Sequence, residues 1–470
     1  MRISRGLSEH DGVQDALTAM ATGLNLDLLG QLGFTAPPDA GPNDLVVAIR
    51  AADEMALGTA RDLLDSLLAE TPAAAGLQDA EAPARTIGAA AARAAGGPAP
   101  PRLALVSVPG PHAFAEAMDA LESGLNVMIF SDNVPVEQEI ALKDAAAGRG
   151  LIVMGPDCGT AVVGGAGLGF ANAVRPGPVG IVAASGTGAQ QVMCLLDAAG
   201  VGVSHTLGVG GRDLSAEVSG RSTLQALAAL GADPATELIV VVSKPPAPRV
   251  AGLIREAARR LTTPIVFAVL GDDGDVPGRA GDLTAAVAEV LSELGVPVPD
   301  WPCWPAPRPQ RPRAGALRGL FAGGTLCAEA LLIAADALGT VHSNLPGWTP
   351  GTTGHLMIDF GDDRLTQGRA HPMIDPSLRL DRLADELADP ECAVVLLDVV
   401  LGHGAEPDPA ARMAPLIGAA GDTAVVVSLC GTPHDPQGRD RQAEALRDAG
   451  AAVFASNAAA ARHAVSLVEA

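Results

Sequence analysis

The stretch Val179-Gly-Ile-Val-Ala-Ala-Ser-Gly-Thr-Gly-Ala-Gln-Gln191 decides how this chain folds. Val179 to Ala184 is short, apolar and β-branched, which predicts a buried strand. Ser185-Gly186-Thr187-Gly188 turns at once into a helix that begins at Ala189. A strand running through small residues into a helix leaves several backbone N–H groups converging at the positive end of the helix dipole, a ready seat for an anion. The hydroxyls of Ser185 and Thr187 add donors. Ser185, Gly186, Thr187 and Gly188 are therefore the first substrate-binding candidates, although ordinary strand-to-helix turns also favour these residue types.

Outward from this turn the same alternation repeats. Upstream, strands are predicted around 102–108, 125–131 and 151–154, with helices over 111–124 and 136–148. Downstream come strands near 201–207, 238–243 and 264–270, with helices over 222–230, 248–261 and 282–294. After residue 314 the alternation resumes and runs to the end, closing on a helix from Asp440. Strands alternating with helices predict an α/β fold with parallel sheets. The boundaries read as a domain over 1–160 that includes an N-terminal extension, a second over 175–296, a Pro-rich linker over 297–313 and a third domain over 314–470, and residues 71–101, rich in Ala, Gly and Pro, read as a loop or linker. Residues 161–178 read as a Gly/Pro-rich connection. Near the N-terminus, Asp44 to Arg50 reads as a strand. Residues 51–70 read as an amphipathic helix with Leu57, Leu63, Leu64, Leu67 and Leu68 on its apolar face.

The 470 residues carry a net charge of −23, which argues against nucleic acid or an anionic membrane surface as partner. An anion must then be held locally, by helix ends and a few cations. The six cysteines are scattered without metal spacing, so no metal site is expected and a reduced, cytoplasmic protein fits best. The first residues show no apolar signal segment, and no apolar run has the character of a membrane helix.

Three further loops carry candidate chemistry. Leu401-Gly-His-Gly-Ala-Glu406 follows the apolar strand VVLLDVV and precedes a helix, so Gly402 and Gly404 repeat the anion-seat device and His403 lies beside them. Two such helix ends facing each other would hold one anion. The loop after Asp359 contains Arg369, suited to bidentate binding of a carboxylate or phosphate, and His371, a candidate acid or base. Asp157 follows a strand in GPDCGT, and Arg212 sits in the strand-end loop GVGGRD. Each has an ordinary alternative as a solvated loop, a surface ion pair or a structural histidine.

VMGPDCGT (153–160), GIVAASGTG (180–188), GVGGRD (208–213), SKPP (243–246), GRAHPMIDP (368–376) and LLDVVLGHGAEPDPA (396–410) together resemble the FdrA family, which is similar to succinyl-CoA synthetase. The resemblance implies three doubly wound parallel-sheet domains: a Rossmann-like CoA-binding domain and two flavodoxin-like ligase domains. It implies that the helix ends at Ser185–Gly188 and Gly402–Gly404 meet. The synthetase carries a phosphorylated histidine in the loop that corresponds to Gly271–Asp275, where this chain has none. The resemblance further implies a subunit of an oxamate carbamoyltransferase, in which oxalurate and phosphate give oxamate and carbamoyl phosphate in purine and allantoin breakdown. On that expectation phosphate lies between the two turns, Arg369 or Arg212 holds a substrate carboxylate, and His371 or His403, with Asp157, assists proton transfer. The residues themselves call for no cofactor, and the resemblance admits CoA. The partners expected are small anions, namely phosphate, carbamoyl phosphate or an oxamate-like acid, and either other subunits or a second copy. The alternatives are an acyl-CoA ligase using the same pocket and a non-catalytic scaffold subunit.

Overall fold

A computed structural model describes residues 6, 7, 10, 12–21, 25, 26, 29, 30, 33–35, 37, 40, 41, 44–69, 84–271, 281–366 and 370–469. The chain divides into two compact units, Met1–Pro83 and Ala84–Ala470. In the first, β1 (Val13–Met20) pairs antiparallel with β2 (Leu45–Ala51), and α1 (Glu54–Ala69) follows. The division after Pro83 falls within residues 71–101, read from the sequence as a loop or linker behind the N-terminal extension.

The second unit contains three main sheets. It opens with α2 (Ile87–Ala94). The smallest sheet is parallel and sequential: β3 (Leu103–Val106), α3 (Gly110–Glu122), β4 (Asn126–Ile129), α4 (Val136–Ala147) and β5 (Val153–Met154). The chain then enters a hairpin, β6 (Thr160–Val163) and β7 (Ala166–Gly169), where a plain connection was expected. Gly164 and Gly165 both have positive φ, at 56° and 84°, and a pair of such residues closes a tight hairpin whose twist matches its strands. The cue was in the sequence, as two glycines between short apolar pairs.

The second sheet continues through β8 (Pro176–Ala183), α5 (Gly186–Ala198), β9 (Val203–Gly208), α6 (Arg221–Ala232), β10 (Leu238–Ser243), α7 (Pro248–Ala258) and β11 (Ile265–Val269), and α8 (Leu283–Glu293) closes it. Its spatial order is β11-β10-β8-β9-β6-β7, parallel except at the hairpin. The third sheet begins after two short strands, β12 (Cys303–Trp304) and β13 (Arg313–Ala314). There follow β14 (Ala316–Phe321), α9 (Gly324–Leu338), β15 (Val341–Ser343), β16 (His355–Asp359), α10 (Asp363–Thr366), α11 (Ser377–Ala388) and β17 (Cys392–Val400). Then come α12 (Pro409–Gly418), β18 (Ala424–Cys430), α13 (Arg439–Ala449), β19 (Ala452–Phe454), α14 (Asn457–Ser466) and β20 (Val468–Glu469). The order is β12-β19-β18-β17-β14-β16-β15. The C-terminal segment after Asp440 therefore holds a strand and a second helix beyond the one expected.

Central strands such as β10 and β17 are buried along their whole length, because helices cover both faces of these sheets. One apolar core joins α5 and α8 of the second sheet to α9 and α14 of the third. Helix α5 is buried nearly all round, as a helix between two sheets must be. The Pro-rich segment is accordingly no free spacer. Cys303 and Trp304 pair with Phe454 and Val453, Arg313 pairs with Val468, and the Gln310 side-chain amide donates to the Val425 carbonyl at 3.0 Å. Among the described residues no helix is long and apolar enough to cross a membrane.

Candidate functional site

In an open parallel sheet, ligands collect where the strand order reverses, outside the carboxyl ends of the strands. In the second sheet that point is the end of β8, because β9 and β10 lie on opposite sides of it. In the third it is the end of β14, flanked by β16 and β17. The two points face each other. Ser185 Oγ donates to Thr325 Oγ1 at 2.6 Å and accepts from the Gly188 N–H at 3.0 Å. The amino ends of α5 and α9 thus meet, and the first N–H groups of each have no partner within their own helix.

They open into a cavity of about 1110 Å³. The carboxyl ends of the small sheet's strands also line it, through Ser107, Pro109, Ser131, Asp132 and Asp157. From the second sheet come Ser185, Gly186, Thr187 and Lys244, and from the third Gly323, Gly324, Thr325, Asp359 and His371. Lys244 Nζ lies 3.6 Å from where a Cβ on Gly324 would sit, so its ammonium stands over the start of α9.

Asp398 sets the α9 end. It is wholly buried in β17, and its carboxylate accepts from the Ala322 N–H at 2.7 Å, the Gly323 N–H at 2.8 Å and Arg379 Nη1 at 2.6 Å. Burial pushes its pKa up, while Arg379 and the two N–H groups pull it down. A lone aspartate inside VVLLDVV was the available signal for this residue.

His371 lines the cavity beside Phe170, with ring centroids 5.7 Å apart. Its Nδ1 accepts from the Met373 N–H at 3.2 Å, which assigns the proton of the neutral ring to Nε2. Burial, then the Arg379 charge, hold its pKa down at about 4, with Asp132 opposing. His371 is therefore a neutral donor near pH 7. Asp157 lines the cavity in a left-handed conformation, φ 56°. The Cys158 thiol behind it is buried and pushed up to about 12, unsuited to act as a thiolate.

The other expected residues lie elsewhere. The partner of the Ser185 turn is Gly323–Thr325 rather than Gly402–Gly404. The Gly402 N–H donates to Gln437 Oε1 at 3.1 Å, its carbonyl accepts from Gln437 Nε2 at 2.8 Å, and the His403 N–H donates to the Ala171 carbonyl at 2.8 Å. With its backbone satisfied and a proline opening α12, that loop offers no anion seat; Gly402, His403 and Gly404 do not line the cavity. Arg212 does not line it either, because its guanidinium reaches Glu139 at 3.0 Å and the Val134 carbonyl at 2.7 Å. Arg369 lies outside the described residues, as do Asp272 to Asp275.

CoA, which the resemblance admits, can be set against the residues. A pyrophosphate of CoA would need an open helix end after β3. There Pro109 and Pro111 lack N–H groups, so this end, which reaches the cavity through Ser107 and Pro109, offers a pyrophosphate few backbone donors. Among the described residues no group of three His, Cys, Asp or Glu side chains is placed to hold a metal.

Residues 320–467 match the CoA-ligase family, and residues 1–84 match the model described as AllF, heavy metal-associated domain. The chain is 39% identical to the protein YahF of Escherichia coli (strain K12), over 97% of this chain and 93% of that one. It is 24% identical to the malate–CoA ligase subunit alpha of Methylorubrum extorquens, over 40% of this chain and 68% of that one. It is 29% identical to a succinate–CoA ligase subunit alpha of Archaeoglobus fulgidus, over 36% of this chain and 58% of that one. Among solved structures, the dinucleotide-forming acetyl-coenzyme A synthetase 1 of Ca. Korarchaeum cryptofilum aligns at a TM-score of 0.33 and 15% identity, over 81% of this chain and 85% of that one.

Proposed function

This chain belongs to the family of the Escherichia coli protein YahF, and we propose that it binds phosphate between the amino ends of α5 and α9 and serves carbamoyl transfer there. The observation that carries this reading is the meeting of two switch-point helix ends across a cavity, joined by the 2.6 Å bond from Ser185 to Thr325. Paired helix ends hold a dianion without a phosphorylated side chain.

In the reaction, an oxygen of hydrogen phosphate attacks the ureido carbonyl of an oxalurate-like acid. The O–C bond forms and the C–N bond breaks. The departing oxamate nitrogen takes the proton that phosphate gives up, leaving carbamoyl phosphate. Lys244 and the helix ends hold the phosphate, and His371, with its proton on Nε2, donates to the oxyanion developing on the carbonyl. We take the chain to be one subunit of an assembly that completes the acceptor side.

A second reading, acyl-CoA ligation, has the CoA-ligase match and the named relatives in its favour and the two prolines at the start of α3 against it. Thermal unfolding of the purified chain with phosphate, carbamoyl phosphate and CoA separates the two. Phosphate at about a hundred times its Kd should add about 2.7 kcal/mol. A chain with both Ser185→Ala and Thr325→Val should need at least about tenfold more phosphate for the same effect. Stabilisation by CoA but not by phosphate would favour the ligase, and phosphate stabilisation untouched by the double change would sink the paired-end seat.

A further inference from the structure

Asp359 stands at the end of β16, opposite Phe321 of the switch-point strand β14. It lines the cavity yet is only 7% exposed. Its backbone is gripped twice by Asn344, whose side-chain amide donates to the Asp359 carbonyl at 2.8 Å and accepts from its N–H at 2.8 Å. Oδ1 accepts from the Gly361 N–H at 2.9 Å. Oδ2 makes no hydrogen bond among the described residues and lies against the first residue of α9. A methyl on Gly324 would come within 2.5 Å of it. A buried carboxyl is thus aimed, with one oxygen unused, at the helix end that faces Ser185.

We propose that Asp359 carries the proton of the transfer step, giving it from Oδ2 to the departing nitrogen and recovering it from hydrogen phosphate. The proposal rests on phosphate lying between the two helix ends. As the phosphate oxygen bonds to the carbonyl carbon, the C–N electron pair passes to nitrogen, which takes the Asp359 proton. The P–OH proton then returns to the carboxylate, and the residue ends as it began.

The charged surroundings suit this task. Lys244 faces Asp359 from the end of β10, Asp398 from β17, Asp362 from its own loop and the Cys327 thiol from α9. His371 approaches through Gly361, with Nε2 3.1 Å from where a Cβ there would sit. Burial is the largest influence and pushes the carboxyl up to about 7; the Gly361 N–H and Lys244 oppose it, and Asp398 and Asp362 reinforce it. A group that gains and loses its proton near neutral pH is matched to proton transfer at that pH.

Sulfate tests this apart from turnover, because it is a dianion throughout the neutral range and brings no proton of its own. A protonated Asp359 welcomes a dianion and an ionised one repels it. Sulfate affinity of the full-length chain should therefore fall about tenfold per pH unit above about pH 7 and stay level with pH in Asp359→Asn. Asparagine keeps the acceptor for the Gly361 N–H. An affinity of the parent chain that ignores pH, or the same fall in Asp359→Asn, overturns the role of Asp359 and leaves the anion seat standing. Binding of neither sulfate nor phosphate overturns the seat and this proposal together. If the variant does not fold, the parent's pH profile alone decides.

Discussion

His371 shows how a side chain chosen from sequence acquires its chemistry from burial. Its folded pKa of about 4 lies below the ordinary 6.5, so the folded chain holds it neutral while the unfolded chain takes up a proton between these values. The resulting stability is fully present above about pH 6.5 and is lost as pH falls toward 4. Asp359 and Glu329, both pushed up to about 7 mainly by burial, act with the opposite sign, weakening the fold as pH rises through that range. Comparison with His371→Phe, which keeps a ring against Phe170, cancels their share. The variant should lose less of its urea midpoint than the parent between pH 6.5 and pH 4.5; an equal loss refutes the assignment. His371 and Ser185 were legible because each sits in a strand-end loop that lines the cavity. Arg212 was misleading because its partner Glu139 lies on α4, a contact that no local pattern announces.

The turn from β14 into α9 depends on a residue far along the chain. Asp398 satisfies the Ala322 and Gly323 N–H groups and neutralises Arg379, all in a buried setting. Asp398→Ala strands two donors and a buried guanidinium, so it should cost about 3–5 kcal/mol in denaturant unfolding. Asp398→Asn, which keeps acceptors, should cost less, and equal costs would show that packing alone is at stake. The turns at Ser185 and Gly402 look alike in sequence. They differ because Gln437 takes up the Gly402 backbone, and because a proline opens α12 where α5 opens with glycine. Proline at the helix start was visible in advance; the glutamine was not.

Across the second unit, the two larger sheets share one core through α5, α8, α9 and α14, although a Pro-rich segment separates them in sequence. A protease site placed within residues 305–309 should therefore yield halves that still elute together on gel filtration after cutting; halves that part would refute a shared core. A buried cluster ties the small sheet to the second in the same way. Lys143 is wholly buried, with Nζ donating to Glu139 and to Asp213 at 2.7 Å each and to the Val209 carbonyl at 3.0 Å. Lys143→Met would strip buried Asp213 of its counter-charge and leave Glu139 with Arg212 alone, and should cost about 3–5 kcal/mol in the same unfolding measurement.

Local pattern was enough for the α/β class, for most strands and helices after residue 100, and for the Ser185 turn. These follow from apolar runs, helical periodicity and small residues at strand ends, all of which act over a few positions. Which two helix ends meet, and which charged side chains are left to face the cavity, depended on sheet order and on contacts between distant residues. Asp359, Asp398 and Lys244 meet their neighbours only through the packing of the two larger sheets and their helices, and burial, which shifts the titration of the first two, is itself a product of that packing.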